Sequence, residues 1–255
     1  MKTKYSLGLA SLILLIILSC HKENDVLPEN ARLKQVLLYH NIDAKEPVGI
    51  QEEYEYNALG QISKVSHVDY LISGFLNYDM YEYNSIGQLI KITNYYSNVN
   101  SPTGYDSSYY KIYNYSGDGK KVKETIVELY GVIKEYSLFI YTDGRLSRIE
   151  NHIPEGIRGE TIIYTLFDYD DYGQPVKEVA YWGNTNEPFK WTINTFSNGL
   201  MVKTEVYSDV NLQDNIRKTY RTFDANKNLK ILEIYEGPAS TSVGGFVGKY
   251  IYFGE

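Results

Sequence analysis

Tyr54-Glu-Tyr-Asn-Ala-Leu-Gly60-Gln-Ile-Ser-Lys64 returns as Tyr81-Glu-Tyr-Asn-Ser-Ile-Gly87-Gln-Leu-Ile-Lys91, and that return decides the fold. Weaker copies follow: Tyr113-Asn-Tyr-Ser-Gly-Asp-Gly119 with Lys123, Phe139-Ile-Tyr-Thr-Asp-Gly144 with Arg148, Phe167-Asp-Tyr-Asp-Asp-Tyr-Gly173 with Lys177, and Phe196-Ser-Asn-Gly199 with Lys203. A last copy, Phe223-Asp-Ala-Asn-Lys-Asn228, lacks the glycine. The six glycines lie 25 to 32 residues apart, and a basic residue follows each by four positions. Internal repetition of this period marks a repeated supersecondary unit.

Each unit reads as a β-hairpin: aromatic alternation at period two, a polar turn whose glycine can take positive φ, then a second alternating strand. Asp118-Gly119, Asp143-Gly144 and Asn198-Gly199 are strong turn signals. Beyond the N-terminus no 3.6-residue apolar period is sustained over a helix length. The expected fold is therefore all-β. It is an up-and-down antiparallel meander of about 16 strands, opening near Leu33 to Tyr39, ending near Lys249 to Phe253, and curled or closed like a barrel to remove its edges.

The composition agrees, with 27 tyrosines against 8 phenylalanines and 2 tryptophans. Tyrosine suits a half-buried pleated surface, where the ring packs and the hydroxyl stays wet. Residues two apart share a strand face. Tyr54, Tyr56, Tyr81, Tyr83, Phe167 and Tyr169 thus form one series, and Glu55, Glu82 and Asp168 the other. A four-residue loop places Glu55 opposite Lys64, Glu82 opposite Lys91 and Asp168 opposite Lys177. A solvated structural pair, worth roughly 0.2 to 1 kcal/mol, explains these columns better than a charged ligand stripe.

The repeats resemble the YD repeats of RHS-type proteins over residues 54 to about 235. In size, N-terminal tether and repeat style the chain also resembles Bacteroidota lipoproteins of unknown function with a porin-like fold. That resemblance implies a barrel-like antiparallel sheet and no activity.

The N-terminus carries Lys2 and Lys4, an apolar run from Leu7 to Leu18, then Ser19-Cys20. The run is too short to span a bilayer, which needs about 20 apolar residues, and reads as a secretory signal over residues 1–19. Ile17-Leu-Ser-Cys20 resembles a bacterial lipobox, whose cysteine receives the lipid. Cys20 is the only cysteine, so it is read as the acyl acceptor and not as half of a disulfide. Residues 20–32 are read as a flexible tether and residues 33–255 as the hairpin domain. His21-Lys-Glu-Asn-Asp25 resembles the export signal of surface lipoproteins, so an outer-membrane lipoprotein, surface-exposed or otherwise periplasmic, is expected. Without the two signal lysines the chain keeps 23 basic residues against 32 acidic ones. That balance disfavours nucleic acid and leaves membrane attachment to the lipid. A lipid-spanning barrel is the competing architecture, but it needs an apolar outward series in every strand, and these strands carry lysine or arginine at mid-length.

Motifs of catalysis and cofactor binding are missing: no Gly-x-Ser-x-Gly, no phosphate loop and no second cysteine. His21, His40, His67 and His152 are scattered without metal-ligand spacing, and no cofactor or metal is expected. Asp168-x-Asp170-x-Tyr172-Gly173 resembles the start of a calcium loop, but Val179 stands where the closing glutamate belongs. Around one loop, Tyr181-Trp-Gly-Asn-Thr-Asn-Glu-Pro-Phe-Lys-Trp191 gathers both tryptophans. Trp182 and Trp191 with Asn184 and Asn186 are the candidate ligand-binding residues, of a kind suited to a sugar ring. Cross-strand aromatic packing is the competing explanation. The reading is a lipid-anchored binding or interaction module, for glycan or an extracellular protein. The alternatives are a hydrolase using two carboxylates and a purely structural envelope protein.

Overall fold

In four of the repeats the residue after the last aromatic bends the chain. Asn57 Oδ1 accepts the backbone N–H groups of Leu59 at 2.9 Å and Gln61 at 3.0 Å. Asn84, Asp170 and Asp224 repeat this bonding in their own turns. Gly60, Gly87 and Gly173 then take φ of 74°, 87° and 80°, and in the copy without glycine Lys227 is held at 67°.

The computed structural model describes residues 32–39, 43–68, 76–156, 159–208, 210–213, 215–236 and 245–252. The signal segment, Cys20, most of the tether, His21, His40 and Phe253 lie outside them. The strands are β1 (Leu33–Tyr39), β2 (Gly49–Tyr56), β3 (Ile62–Val68), β4 (Leu76–Tyr83), β5 (Leu89–Ser97), β6 (Tyr105–Tyr115), β7 (Lys121–Glu128) and β8 (Ile133–Thr142). They continue as β9 (Arg145–Gly156), β10 (Gly159–Tyr169), β11 (Pro175–Trp182), β12 (Pro188–Ser197), β13 (Leu200–Tyr207), β14 (Asn215–Phe223), β15 (Leu229–Glu236) and β16 (Gly245–Tyr252). A single 3₁₀ turn at Leu129–Gly131 is the only helical element among the described residues.

Each strand pairs antiparallel with the next, and β1 pairs with β16 to close the barrel. The expected meander is therefore present, and it closes. One end carries the repeat turns together with the start of β1 and the end of β16, because Leu33 pairs with Tyr252 and β1 runs antiparallel to β2. The opposite end carries the other connections. The connection from β5 to β6 covers residues 98–104.

In all seven repeated hairpins the register slips at the same place, just after the turn. Tyr56 pairs with Ile62, yet Glu55 pairs with Lys64, so Ser63 is a bulge. The expected partners Glu55–Lys64, Glu82–Lys91 and Asp168–Lys177 are all realised, at N···O distances of 3.0, 3.0 and 3.8 Å. The loop between strands holds five residues instead of four, and the bulge restores the count.

A second tyrosine function was not legible in the repeat. The hydroxyls of Tyr56, Tyr83, Tyr115, Tyr141 and Tyr169 donate to the backbone oxygens of Leu33, Ile62, Leu89, Lys121 and Leu146 at 2.7 to 3.0 Å. Each acceptor is the first or second residue of a neighbouring strand and lies 20 to 26 residues earlier. This explains why the first aromatic position accepts Phe139 or Phe167 while the second stays tyrosine in those five copies.

Leu33, Val36, Tyr54, Val65, Leu229 and Leu232 form an apolar cluster on the inward face, with Tyr56, Tyr81 and Phe223 packed against it. Elsewhere the inward face mixes apolar and polar groups, with Ile92 and Tyr113 buried alongside Glu52 and Glu124, and no described side chain is completely buried. Sixteen strands enclose more width than side chains readily fill.

Candidate functional site

The register that sends Tyr54 and Val65 inward sends Lys64 outward. The other basic residues four positions past a turn glycine also lie on the outer face, and most cover a tyrosine of the next strand. Lys64 lies 5.1 Å from the centre of the Tyr78 ring, Lys91 5.4 Å from Tyr110, Lys123 4.7 Å from Tyr136, Arg148 4.1 Å from Tyr164 and Lys203 5.7 Å from Tyr220. Each such pair contributes about 0.5 to 1 kcal/mol where exposed. Carboxylates share this wall: Glu150 holds Arg148 at 2.7 Å, and Glu205 holds Lys203 at 2.9 Å. A wall so charged does not suit the hydrocarbon of a bilayer.

On this wall, near the end opposite the repeat turns, a cavity of about 280 Å³ is lined by Lys64, Ser66, Tyr78, Met80 and Tyr105. Strands β3, β4 and β6 supply its sides. The Tyr78 ring stacks on Tyr95 with centroids 4.9 Å apart and 15° between planes, and it meets the edge of Tyr105 at 4.9 Å. Two neighbouring rings thus fix a third, which stands beside an ammonium group and a hydroxyl. Such a surface can stack against C–H patches while its polar groups bond to hydroxyls.

The tryptophan loop is organised differently from its sequence-based expectation. Trp182 stacks on Phe189, with centroids 4.3 Å apart, and is 40% exposed. Trp191 pairs with Val179 and Tyr207 and is buried at 7% exposure. The register places Trp182 beside Ile163, on the sheet face opposite to that of Val179 and Trp191. The two tryptophans therefore do not share a surface. Asn186, at φ 57°, bonds through its N–H to Trp182 O at 2.8 Å, and its Oδ1 accepts the Tyr164 hydroxyl at 3.0 Å. Tyr164 in turn stacks on Tyr181 at 4.9 Å. Asn184 lies exposed in the same turn. Gly183 is required where it stands, because a Cβ there would meet Ile162 O at 2.9 Å.

Within the barrel, carboxylates converge on a histidine. His67 lies between Glu52, 3.5 Å from Nδ1, and Asp79, 3.2 Å from Nε2. Asp79 also accepts Asn94 Nδ2 at 2.7 Å, Ser108 donates to Asn94 Oδ1 at 2.7 Å, and the Tyr54 hydroxyl donates to Glu52. Burial alone disfavours the imidazolium, but the hydrogen bonds and charges of Asp79 and Glu52 outweigh it and raise the ring to about 9. A second inward chain runs from Glu178 through Asn194 and Thr204 to Arg221, with hydrogen bonds of 3.1, 3.1 and 2.9 Å. Burial pushes the Glu178 carboxyl up despite its bond to Asn194. On the outer wall His152 is held between Glu150 and Glu160 at 3.3 and 2.9 Å, and its ring stacks on Tyr136 at 4.5 Å. The carboxylates around both histidines are engaged by the imidazole. Among the described residues no group of three metal-ligating side chains is placed to hold an ion. Asp170 spends its oxygen on the turn, bonding the N–H groups of Tyr172 and Gln174.

Sequence reasoning missed the tyrosine groove because Tyr78, Tyr95 and Tyr105 come from three strands and none belongs to the Tyr-x-Tyr motif. The only signal was the fixed basic residue, which the pairing of Lys64 with Met80 brings beside Tyr78.

No protein-family profile matches the chain, and no curated protein matches it either. Among solved structures it is similar to a porin-like protein from Bacteroides uniformis, with TM-score 0.39 and 8% identity over 90% of this chain and 100% of the other. A porin-like protein from Bacteroides vulgatus gives 0.40 and 12% over 88% and 99%. A Photorhabdus luminescens Tc holotoxin pore gives 0.22 and 12% over 77% of this chain and 11% of the other. Likenesses at these scores carry no argument about activity.

Proposed function

We propose that this chain is a lipid-anchored envelope protein, acylated at Cys20 and displayed at the outer membrane, whose barrel wall binds carbohydrate. The observation that carries this reading is the Tyr78 ring, fixed by Tyr95 and Tyr105 in a groove of about 280 Å³ beside Lys64 and Ser66. A preset aromatic face loses little conformational freedom on binding, and the flanking polar groups supply orientation. The anchor reading rests on the apolar run from Leu7 to Leu18 and on Cys20 as the sole cysteine.

The exposed Trp182–Phe189 stack, with Asn186 pinned by Tyr164, favours a second binding patch at the Trp182 loop. One experiment separates the sites. The mature protein is screened on a glycan array, and hits are measured by titration calorimetry for wild type, Tyr78→Ala and Trp182→Ala. A groove site predicts that Tyr78→Ala weakens binding by about tenfold or more, roughly 1.4 kcal/mol, with Trp182→Ala unchanged. The reverse pattern moves the site to the loop. Binding indifferent to both variants rejects both, and release of new reducing ends during the titration identifies the hydrolase alternative.

A further inference from the structure

We infer that the barrel rests on the lipid surface through its turn end, with Leu59, Ile86 and Tyr172 seated among the lipid headgroups. This rests on the reading of Cys20 as a lipid anchor. The three side chains hold the same position in three turns, two residues after Asn57, Asn84 and Asp170, and are 64, 62 and 88% exposed. Each turn uses only the backbone N–H of that residue, bonded to the asparagine or aspartate oxygen at 2.9, 3.2 and 3.0 Å. The fold asks nothing of the side chain, and in the equivalent turn Asn226 fills the position with its N–H bonded to Asp224 at 2.8 Å. Local structure therefore does not explain two aliphatic groups and a phenol at the tips. A membrane interface does, since it takes aliphatic tips into its apolar layer and holds tyrosine at headgroup level. Arg145, whose guanidinium lies beside Gly173, stands at the same end, where a cation meets lipid phosphates, while Lys120 of the neighbouring turn is paired with Asp118 at 2.9 Å.

The opposite rim also carries exposed apolar groups, among them Val99 at 82%, Tyr130 at 99% and Val210 at 67%. The tether decides between the ends, because β1 enters the barrel at the turn end and Tyr56 locks to Leu33 O there at 2.8 Å. Eleven residues separate Cys20 from Arg32. A relaxed chain of that length spans about 20 Å. Presenting the far rim to the membrane would stretch it along a wall whose eleven-residue strand β6 is itself roughly 36 Å long.

The test uses the acylated mature chain on vesicles of phosphatidylethanolamine and phosphatidylglycerol. Single variants Leu59→Cys, Ile86→Cys, Tyr172→Cys, Val99→Cys and Tyr130→Cys carry an environment-sensitive dye. Dyes at 59, 86 and 172 are expected to shift to the blue on attachment and to resist iodide quenching, while those at 99 and 130 behave as in water. Protection at 99 and 130 instead, or at no position on an attached chain, overturns the inference. A concentration-dependent shift at 59, 86 and 172 without vesicles assigns the patch to a second copy and also overturns it. A chain that carries no acyl group and stays off the vesicles refutes the anchor reading separately. The same dyes on a chain held to nickel-chelating lipid by a histidine tag at its mature start then decide the orientation.

Discussion

The hydroxyl of Tyr83 donates to the backbone oxygen of Ile62 at 2.9 Å, tying the end of one repeat to the start of the strand that flanks it. Ile62 lies next to the bulge that follows every repeat turn, where ladder bonding is interrupted. The repeat thus supplies its own donor for a carbonyl at the start of a neighbouring strand.

Loss of that donor has a measurable consequence. Tyr83→Phe is expected to lower the unfolding free energy by about 0.5 to 1.5 kcal/mol. Tyr81→Phe, at the position where the chain itself uses Phe139 and Phe167, is expected to stay within about 0.5 kcal/mol of wild type. Urea denaturation of both variants checks the contrast, and equal losses would remove the special role of the second tyrosine.

The turn that lost its glycine offers a gain. Lys227 sits at φ 67°, a left-handed conformation that costs an ordinary residue about 1 to 2 kcal/mol. Lys227→Gly relieves this and loses part of the benefit to unfolded-chain entropy. Stabilisation of up to about 1 kcal/mol is expected, read as a higher Tm. Gly87→Ala should do the opposite, because φ is +87° and the new Cβ would lie 3.2 Å from Gln61 Nε2.

A third expectation concerns pH. The His67 ring rises to about 9 in the folded barrel against an ordinary value of 6.5. A histidine raised on folding stabilises fully below its unfolded value, and that contribution fades as pH climbs through the folded one. Stability should therefore decline between about pH 6.5 and 9, by at most about 3 kcal/mol. His67→Gln leaves Glu52 and Asp79 facing no cation. That variant should be less stable throughout and lack this decline. An NMR titration of the ring with a midpoint at or below 6.5 would contradict the assignment.

Much of this architecture was legible because the repeat carries both turn chemistry and alternation. Glycine spacing located the hairpins, and the pairs Glu55–Lys64 and Glu82–Lys91 followed from register alone. The bulge at Ser63 was not legible, since a five-residue loop with one bulged residue gives the same partners as a four-residue loop without one. Closure of β1 on β16 joins residues near opposite ends of the chain and has no local signature. The candidate site was less legible still. Trp182 and Trp191 are close in sequence, but the pleat separates them, whereas Tyr78, Tyr95 and Tyr105 converge only after three strands are paired.

The most direct test of carbohydrate binding at the groove is an NMR titration of ring-labelled tyrosines with an oligosaccharide from the array screen. The account predicts that the resonances of Tyr78, Tyr95 and Tyr105 move together and saturate with the calorimetric affinity. Movement confined to Tyr164 and Tyr181, or none among the outer-wall tyrosines, would contradict it.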